Sequence, residues 1–238
     1  MPAPVTFYTP RAYHGLQNKH LMRTIYALLP TLLLSATLMA QDVYYDNNAV
    51  KRDVTAFHGL DVSTGIEVII EHGDNEGLAV SAPDAKALEN LKTEVSNGIL
   101  KIYYSTELHN LYIPKNWKLK AYVSYKTLDL IKASSGASIK GGLWAGQMKV
   151  RANSGAVVSL RGAVDSLEVR SSSGAQFKGY DMVANYLQAD AESGGSIQAV
   201  VNKEVNAEAS SGGYINYKGE AVVRNVNVNS GGSVRKAQ

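Results

Sequence analysis

Ser135-Gly136-Ala137 is the first of six similar tripeptides that continue to the end of the sequence. The later copies are Ser154-Gly155-Ala156, Ser173-Gly174-Ala175, Ser193-Gly194-Gly195, Ser211-Gly212-Gly213 and Ser230-Gly231-Gly232. Their serines are separated by 19, 19, 20, 18 and 19 residues. A fixed period near 20 residues is typical of solenoids, because so short a unit cannot bury its apolar face without stacked neighbours. The sequence therefore predicts a regular repeat solenoid over residues 128–238.

Apolar or small residues occupy every second position around each serine. Four residues before the serines are Ile131, Val150, Val169, Ala189, Ala207 and Val226, and four after are Ile139, Val158, Phe177, Ile197, Ile215 and Val234. Alternation with period 2 indicates strands with one buried face. We predict an all-β, parallel β-solenoid with rungs of about 19 residues, each strand pairing in register with the next rung about 4.8 Å away. The alternation also predicts that the serine points inward, that its glycine points outward at a bend, and that the other eight to ten residues form a looser, turn-containing side.

Residues 1–40 read as a leader rather than as part of the fold. A 14-residue apolar stretch runs from Ile25 to Leu38, Arg23 precedes it, and Ala40 ends the segment. This pattern predicts a secretory signal peptide, with Met22 as a more natural start than Met1. The sequence has no cysteine, so disulfides, thiolate metal sites and lipid anchoring through a cysteine are excluded. We expect an exported protein, in the periplasm, on the outer-membrane surface or outside the cell, without a transmembrane segment in the mature chain.

The positive charge of the sequence belongs to this leader. The formal net charge is +3, and Arg11, Lys19 and Arg23 precede the first acidic residue, Asp42. The mature chain is therefore neutral overall, with no basic excess for nucleic acid. We expect no nucleic-acid partner.

The region before the repeats is β-rich but irregular. Residues 41–56 read as an entry segment or cap, and residues 57–127 as a degenerate first half of the solenoid. Thr64-Gly65 resembles the later Ser-Gly steps, Asp84 to Leu91 fits a helical turn, and Asn97-Gly98 predicts a hairpin-like turn. Solenoids need atypical terminal units that cover their open edges, which is the role expected here.

Few residues suggest chemistry. His58, His72 and His109 lie in different segments without metal-ligand spacing, so solvated or structural roles are favoured. Trp117, Trp144 and the 14 tyrosines are candidates for stacking on sugar rings, although strand propensity explains most tyrosines. No threonine follows Thr127, which excludes a threonine-array ice-binding face.

Charged residues concentrate three positions before the serines. Asp190 and Glu208 occupy this position in neighbouring units, with Glu192 close by. Such carboxylates suggest a glycosidase pair or a calcium site, but Arg170 precedes Asp190 in the same column and an Arg170–Asp190 pair explains them without chemistry. Whether the three acids bind an ion stays open. The other end of the column is a modest basic strip, Lys132, Arg151 and Arg170 with Lys149 beside it, and Glu168 is expected to neutralise part of it.

Three segments resemble a known family. They are Phe57-His58-Gly59-Leu60, Val95-Ser96-Asn97-Gly98-Ile99-Leu100-Lys101-Ile102, and the Ser-Gly-Ala/Gly units after Leu130-Ile131. These segments are similar to the auto-transporter adhesin head GIN domain, from about Val54 to the C-terminus. The resemblance implies a secreted bacterial protein with a single-stranded, right-handed parallel β-helix, and it carries no catalytic motif.

The expected function is therefore non-catalytic: an exported adhesin or binding scaffold that acts through its solenoid faces. The alternative is a β-helical carbohydrate-active enzyme or a glycan-binding module. Asp165 stands 11 residues after Ser154, Asp181 8 after Ser173 and Asp190 3 before Ser193, which scatters them around the coil and favours binding. We predict no catalytic residues, metal or cofactor. The extracellular ligand, glycan or protein, and self-association stay open.

Overall fold

The computed structural model describes residues 46–106 and 112–238. The predicted signal peptide and His109 lie outside these residues. Within them the chain forms one short helix, α1 (Ala85–Asn90), and fifteen strands. The strands are β1 (Val50–Arg52), β2 (Gly59–Val62), β3 (Glu67–His72), β4 (Gly77–Ser81), β5 (Leu91–Ser96), β6 (Ile99–Tyr104), β7 (Lys120–Tyr125), β8 (Leu130–Ala133), β9 (Ser138–Ala152), β10 (Val157–Ser171), β11 (Gln176–Ala191), β12 (Ser196–Ala209), β13 (Tyr214–Lys218), β14 (Val222–Val228) and β15 (Ser233–Lys236).

The repeats stack as a parallel β-solenoid of about six turns, as the period predicted. Equivalent residues are paired from rung to rung; Val150 aligns with Val169, which aligns with Ala189. The positions two and four residues before and after the serines point inward in the central rungs, as predicted. Their side chains form one continuous apolar core with the first half of the chain.

The serines themselves do not point inward, and that prediction is wrong. All six serines are exposed and have a φ between +46° and +52°: Ser135, Ser154, Ser173, Ser193, Ser211 and Ser230. Each Ser-Gly pair, both with positive φ, forms the centre of a tight turn closed by a backbone hydrogen bond, such as Ala137 N–H to Ser134 O at 3.0 Å. Because the two central residues of the turn form the corner, the serine lies outside the core. The residues two positions before and two positions after the serine still point inward.

The corners are themselves stacked. The N–H of Gly136 donates to the carbonyl of Ser154 in the next rung at 3.0 Å, and Gly155 donates to Ser173 at 3.1 Å. The predicted early copy joins the same column, because Thr64 and Gly65 both have positive φ and Gly65 N–H donates to Ser135 O. This ladder satisfies backbone groups that a turn usually exposes to water.

In the units that contain β9 to β12 the second part is strand rather than a looser, turn-containing side, whereas between Ser211 and Ser230 residues 219–221 separate β13 from β14, as that prediction expected. Strands β9 and β10 each run for 15 residues from one Ser-Gly corner to the next. Glycines with positive φ, Gly141 and Gly162, kink the strands without ending them. The longest unit, between Ser173 and Ser193, places its extra residues in a register shift between Gly179 and Val183 against β12. The variation in length between units 173–193 and 193–211 therefore falls in the part that follows the corner.

The first half does not stack in chain order. Strand β2 lies between β6 and β8, and β3 lies between β7 and β9, so the rung formed by β6 and β7 is outside the rung formed by β2 and β3. Antiparallel strands then extend this end: β5 pairs with β6, β4 with β7, and β1 with β4. The Asn97-Gly98 turn joins β5 to β6 as a hairpin. Asp84 is the N-cap of α1, and its carboxylate accepts a hydrogen bond from Ala87 N–H at 2.8 Å. Antiparallel strands and a helix therefore extend this end of the solenoid beyond its parallel rungs.

Over residues 46–106 and 112–238, no helix combines the length and the hydropathy that crossing a bilayer requires.

Candidate functional site

A cleft of about 410 Å³ opens on the outer surface formed by the segments that follow the Ser-Gly corners. It crosses β9, β10 and β11 and reaches β12. Its lining residues are Lys140, Gly141, Ser159, Leu160, Arg161, Lys178, Tyr180, Asp181 and Gln198. We call this surface the cleft face.

The cleft arises from breaks in strand register. Relative to β10, strand β11 shifts between Ser159 and Arg161, so Tyr180 has no in-register partner there. Relative to β12, residues 180–182 lie in the second shift. A bulge re-aims side chains that a regular ladder would hold perpendicular to the sheet. Tyr180 and Asp181 therefore stand at the cleft, while Met182 turns into the core.

The floor near β9 is held by a buried hydroxyl. Tyr125 is fully buried, and its hydroxyl donates to the carbonyl of Gly142 at 2.8 Å. Burial raises the pKa of Tyr125 well above its ordinary value, so this hydroxyl stays protonated and keeps donating. The bond fixes the backbone next to Gly141, at the edge of the cleft.

Two of the cations at the cleft are paired. Lys140 Nζ contacts Glu67 Oε1 at 2.6 Å, and Arg161 donates to Glu71 Oε1 at 2.7 Å. Lys178 makes no ion pair with any residue of the described segments. It is exposed beside Tyr180 and is the cation best placed to meet a ligand.

Tyr180 is the aromatic side of the cleft. Lys218 Nζ lies 5.1 Å from its ring centroid, a cation–π contact that orients the ring. Partial burial, and after it the neighbouring Tyr214, raises the pKa of Tyr180, while a hydrogen bond with Asn216 acts in the opposite direction. A neutral phenol with adjacent cations and amides can stack on a ligand ring and exchange hydrogen bonds with it.

Asp181 is the one carboxylate among the residues that line this cleft. Hydrolysis of a glycoside by the usual mechanism needs two carboxylates on either side of the bond. Asp165 lies elsewhere, where Asn185 donates to it at 2.8 Å, and Asp190 belongs to another face. The three aspartates are scattered around the coil, as their offsets predicted.

The charged column is in register as the repeat predicted. Pairing runs from Lys132 to Arg151, Arg170, Asp190, Glu208 and Asn227, one residue in each rung. We call the outward side of these segments, which precede the Ser-Gly corners, the charged face. It also carries Lys149 and Glu168, whose predicted contact is present at 3.7 Å.

The expected Arg170–Asp190 ion pair is not the contact that Arg170 makes. Its Nε lies 3.5 Å from Glu168 Oε1, in its own strand, although Asp190 is its register neighbour. Glu208 accepts from Asn227 at 3.3 Å. In the described part of the chain, no three histidines or carboxylates come close enough to share a metal ion.

The other candidate residues have local structural contacts. His58 Nδ1 lies 2.8 Å from Asp129 Oδ1, and His72 packs edge-on against Tyr125 at 5.6 Å. The ring of Trp117 packs in a tilted orientation against Tyr104, with the ring centroids 5.0 Å apart. Its indole N–H donates to the carbonyl of Thr64, so Trp117 covers the first corner. Trp144 is half exposed and is not among the residues that line the cleft. The structure does not bring these four residues into one site.

Sequence reasoning missed Tyr180 and Lys178. Their signal was the 20-residue spacing between Ser173 and Ser193, which marks where an extra residue must leave the ladder.

Solved structures with the same fold include two bacterial proteins. A putative adhesin from Bacteroides fragilis has 16% identity and a TM-score of 0.63, with 81% of this chain and 98% of that chain covered. A putative adhesin from Parabacteroides merdae has 15% identity and a TM-score of 0.52, with 80% and 95% covered. No curated protein matches the sequence. The family described as "Putative auto-transporter adhesin, head GIN domain" matches residues 56–221, and this chain belongs to that family.

Proposed function

We propose that this chain is an exported, non-catalytic binding protein that holds an extracellular ligand at the cleft face. The observation that carries the proposal is the register break at residues 180–182, which sets Tyr180 beside the exposed Lys178 in an open cleft. The adhesin family and its leader-like N-terminal sequence support a cell-surface or secreted location.

The chemistry of the cleft supports binding rather than hydrolysis. A single lining carboxylate cannot act as both general acid and nucleophile or base, whereas an aromatic ring with cations and amides is a usual recognition surface. The lining of the cleft comes from four successive strands, β9 to β12, as suits a segment of a larger ligand that lies across several rungs.

The test is a binding screen with matched variants. The mature protein is applied to arrays of glycans and of host extracellular proteins, and the ligands it retains identify the class. Tyr180→Ala should weaken binding to those ligands by about tenfold or more, because truncating a central aromatic contact typically has this effect.

Tyr186→Ala is the control. Tyr186 is also an exposed tyrosine in β11, and Lys203 lies 5.3 Å from its ring, but it is outside the cleft. Equal binding by wild type and Tyr180→Ala would contradict the proposal, and so would turnover of a retained glycan that Asp181→Asn abolishes.

A further inference from the structure

The charged face has an uneven distribution of charge along the solenoid axis. Its central column is basic in three successive rungs, at Lys132, Arg151 and Arg170, and acidic in the next two, at Asp190 and Glu208. From Lys132 to Glu208 the sign changes once, between the rungs of Arg170 and Asp190, and the rung before Lys132 carries Asp61 in the same column. Like charges therefore stand in adjacent rungs, about 4.8 Å apart along the axis, an arrangement that is unfavourable within one chain.

Contacts within the chain leave much of this charge unpaired. In residues 46–106 and 112–238, Lys132, Arg151 and Asp190 make no ion pair. Arg170 shares Glu168 with Lys149, and the side chain of Arg170 is 60% exposed. The face thus has a basic half and an acidic half that are open to an external partner of opposite pattern.

A second copy of the chain has that pattern. A two-fold axis parallel to the strands, placed between the rungs of Arg170 and Asp190, reverses the order of the rungs and brings the same column opposite itself. Arg170 of one copy then faces Asp190 of the other, and Arg151 faces Glu208, with each contact made twice. Lys132 would face the neutral Asn227.

The neighbouring column is compatible with the same arrangement. It consists of Lys149, Glu168, Gln188 and Asn206 in successive rungs. Under the same two-fold axis, Glu168 faces Gln188 and Lys149 faces Asn206. Neither pair opposes like charges, so the arrangement creates no new repulsion.

We propose that the charged face is a self-association surface, on which two copies pair with antiparallel solenoid axes. This proposal concerns a different face from the cleft and does not depend on the proposed function. Five rung spacings and a strand segment of about seven residues give a contact of about 500–600 Å² on each copy. That area is at the lower limit for a specific interface, so we expect a weak, reversible and salt-sensitive dimer.

Charge reversal tests the surface directly. Wild-type mature protein is studied by sedimentation velocity over a range of concentrations at low salt, and we expect a monomer–dimer equilibrium. Raising the salt from about 0.05 M to about 0.5 M should weaken association by about tenfold or more, because exposed charges are screened.

Two complementary variants then identify the face. Arg151→Glu with Arg170→Glu makes the column acidic in four rungs, and Asp190→Arg with Glu208→Arg makes it basic in five. Each variant alone should be monomeric, whereas a mixture of the two should form a heterodimer, because every facing pair is again opposite in charge. Lys115→Glu with Lys118→Glu reverses two exposed lysines outside the face and should leave the wild-type equilibrium unchanged.

The mixture guards against a loss of dimer caused by misfolding, since misfolded variants would not restore association. A wild type that stays monomeric at every concentration in low salt would overturn the proposal. Dimers that persist in both charge-reversal variants, or a mixture that stays monomeric, would overturn it too.

Discussion

Gly162 occupies a place in β10 that only a glycine fits. Its φ is +123°, and a Cβ built there would lie 2.1 Å from the carbonyl oxygen of Leu143 in the preceding rung. Gly155, in the Ser154-Gly155 corner, also has a positive φ, of +71°, but a Cβ there meets no atom within 4 Å. At both positions a side chain would meet an unfavourable φ, but only at Gly162 would it also overlap another atom.

We expect Gly162→Ala to destabilise the protein much more than Gly155→Ala. A non-glycine residue with positive φ costs about 1–2 kcal/mol at position 155, and the cost at position 162 is at least as large because a φ of +123° lies outside the left-handed helical region. Relief of the overlap at Gly162 requires the Leu143 carbonyl to move by about 1 Å, which disturbs the ladder between β9 and β10 and adds about 1–3 kcal/mol.

The measurement is thermal unfolding of both variants and the wild type by circular dichroism. For a domain of this size, 1 kcal/mol corresponds to roughly 2–4 °C in Tm. We therefore expect a fall of about 3–8 °C for Gly155→Ala and about twice that for Gly162→Ala. Equal shifts in the two variants would refute the reasoning, since they would mean that the rungs separate enough near Gly162 to admit a methyl group.

Two further substitutions test the corner and the floor of the cleft. Ser173→Val should lower the free energy of unfolding by about 1–2 kcal/mol because a β-branched residue is strained at φ +52°, whereas Ser173→Asn should be close to neutral; equal melting temperatures for these two variants would contradict the turn geometry. Tyr125→Phe should lower the free energy of unfolding by about 1–3 kcal/mol, because the Gly142 carbonyl loses its buried donor, and urea titration would disprove this if the midpoint were unchanged.

The repeat is the part of the fold that could be predicted from the sequence. Residues such as Val150, Val169 and Ala189 have the same place in each unit, and in a parallel ladder the same place in the unit means contact in space. The same logic correctly aligned Arg170 with Asp190 and Glu208. Local signals sufficed for the Asn97-Gly98 hairpin, because few residue pairs accept two successive positive φ values.

The failures have a common physical origin. Alternation from Ile131 to Ile139 is equally compatible with a continuous strand and with two strands joined by a four-residue turn, because both keep the residues on each side of Ser135 inward. Periodicity alone could not distinguish them. The stacking of the first half was also hidden, because insertion of β2 between β6 and β8 depends on contacts between segments about 40 and 70 residues apart.

The solenoid allows the proposed binding site and the proposed self-association surface to lie on different faces of one coil. Position within the unit decides which face a side chain is on, and the rung decides how far along the axis it lies. The extra residue near Tyr180 changes one face of one unit, where the cleft lies. It leaves the charged column on another face in register, because β11 regains its pairing with β12 by Leu187. The proposed self-association through the charged face is therefore compatible with the proposed ligand binding at the cleft face. Blocking one face by mutation should leave the other functional.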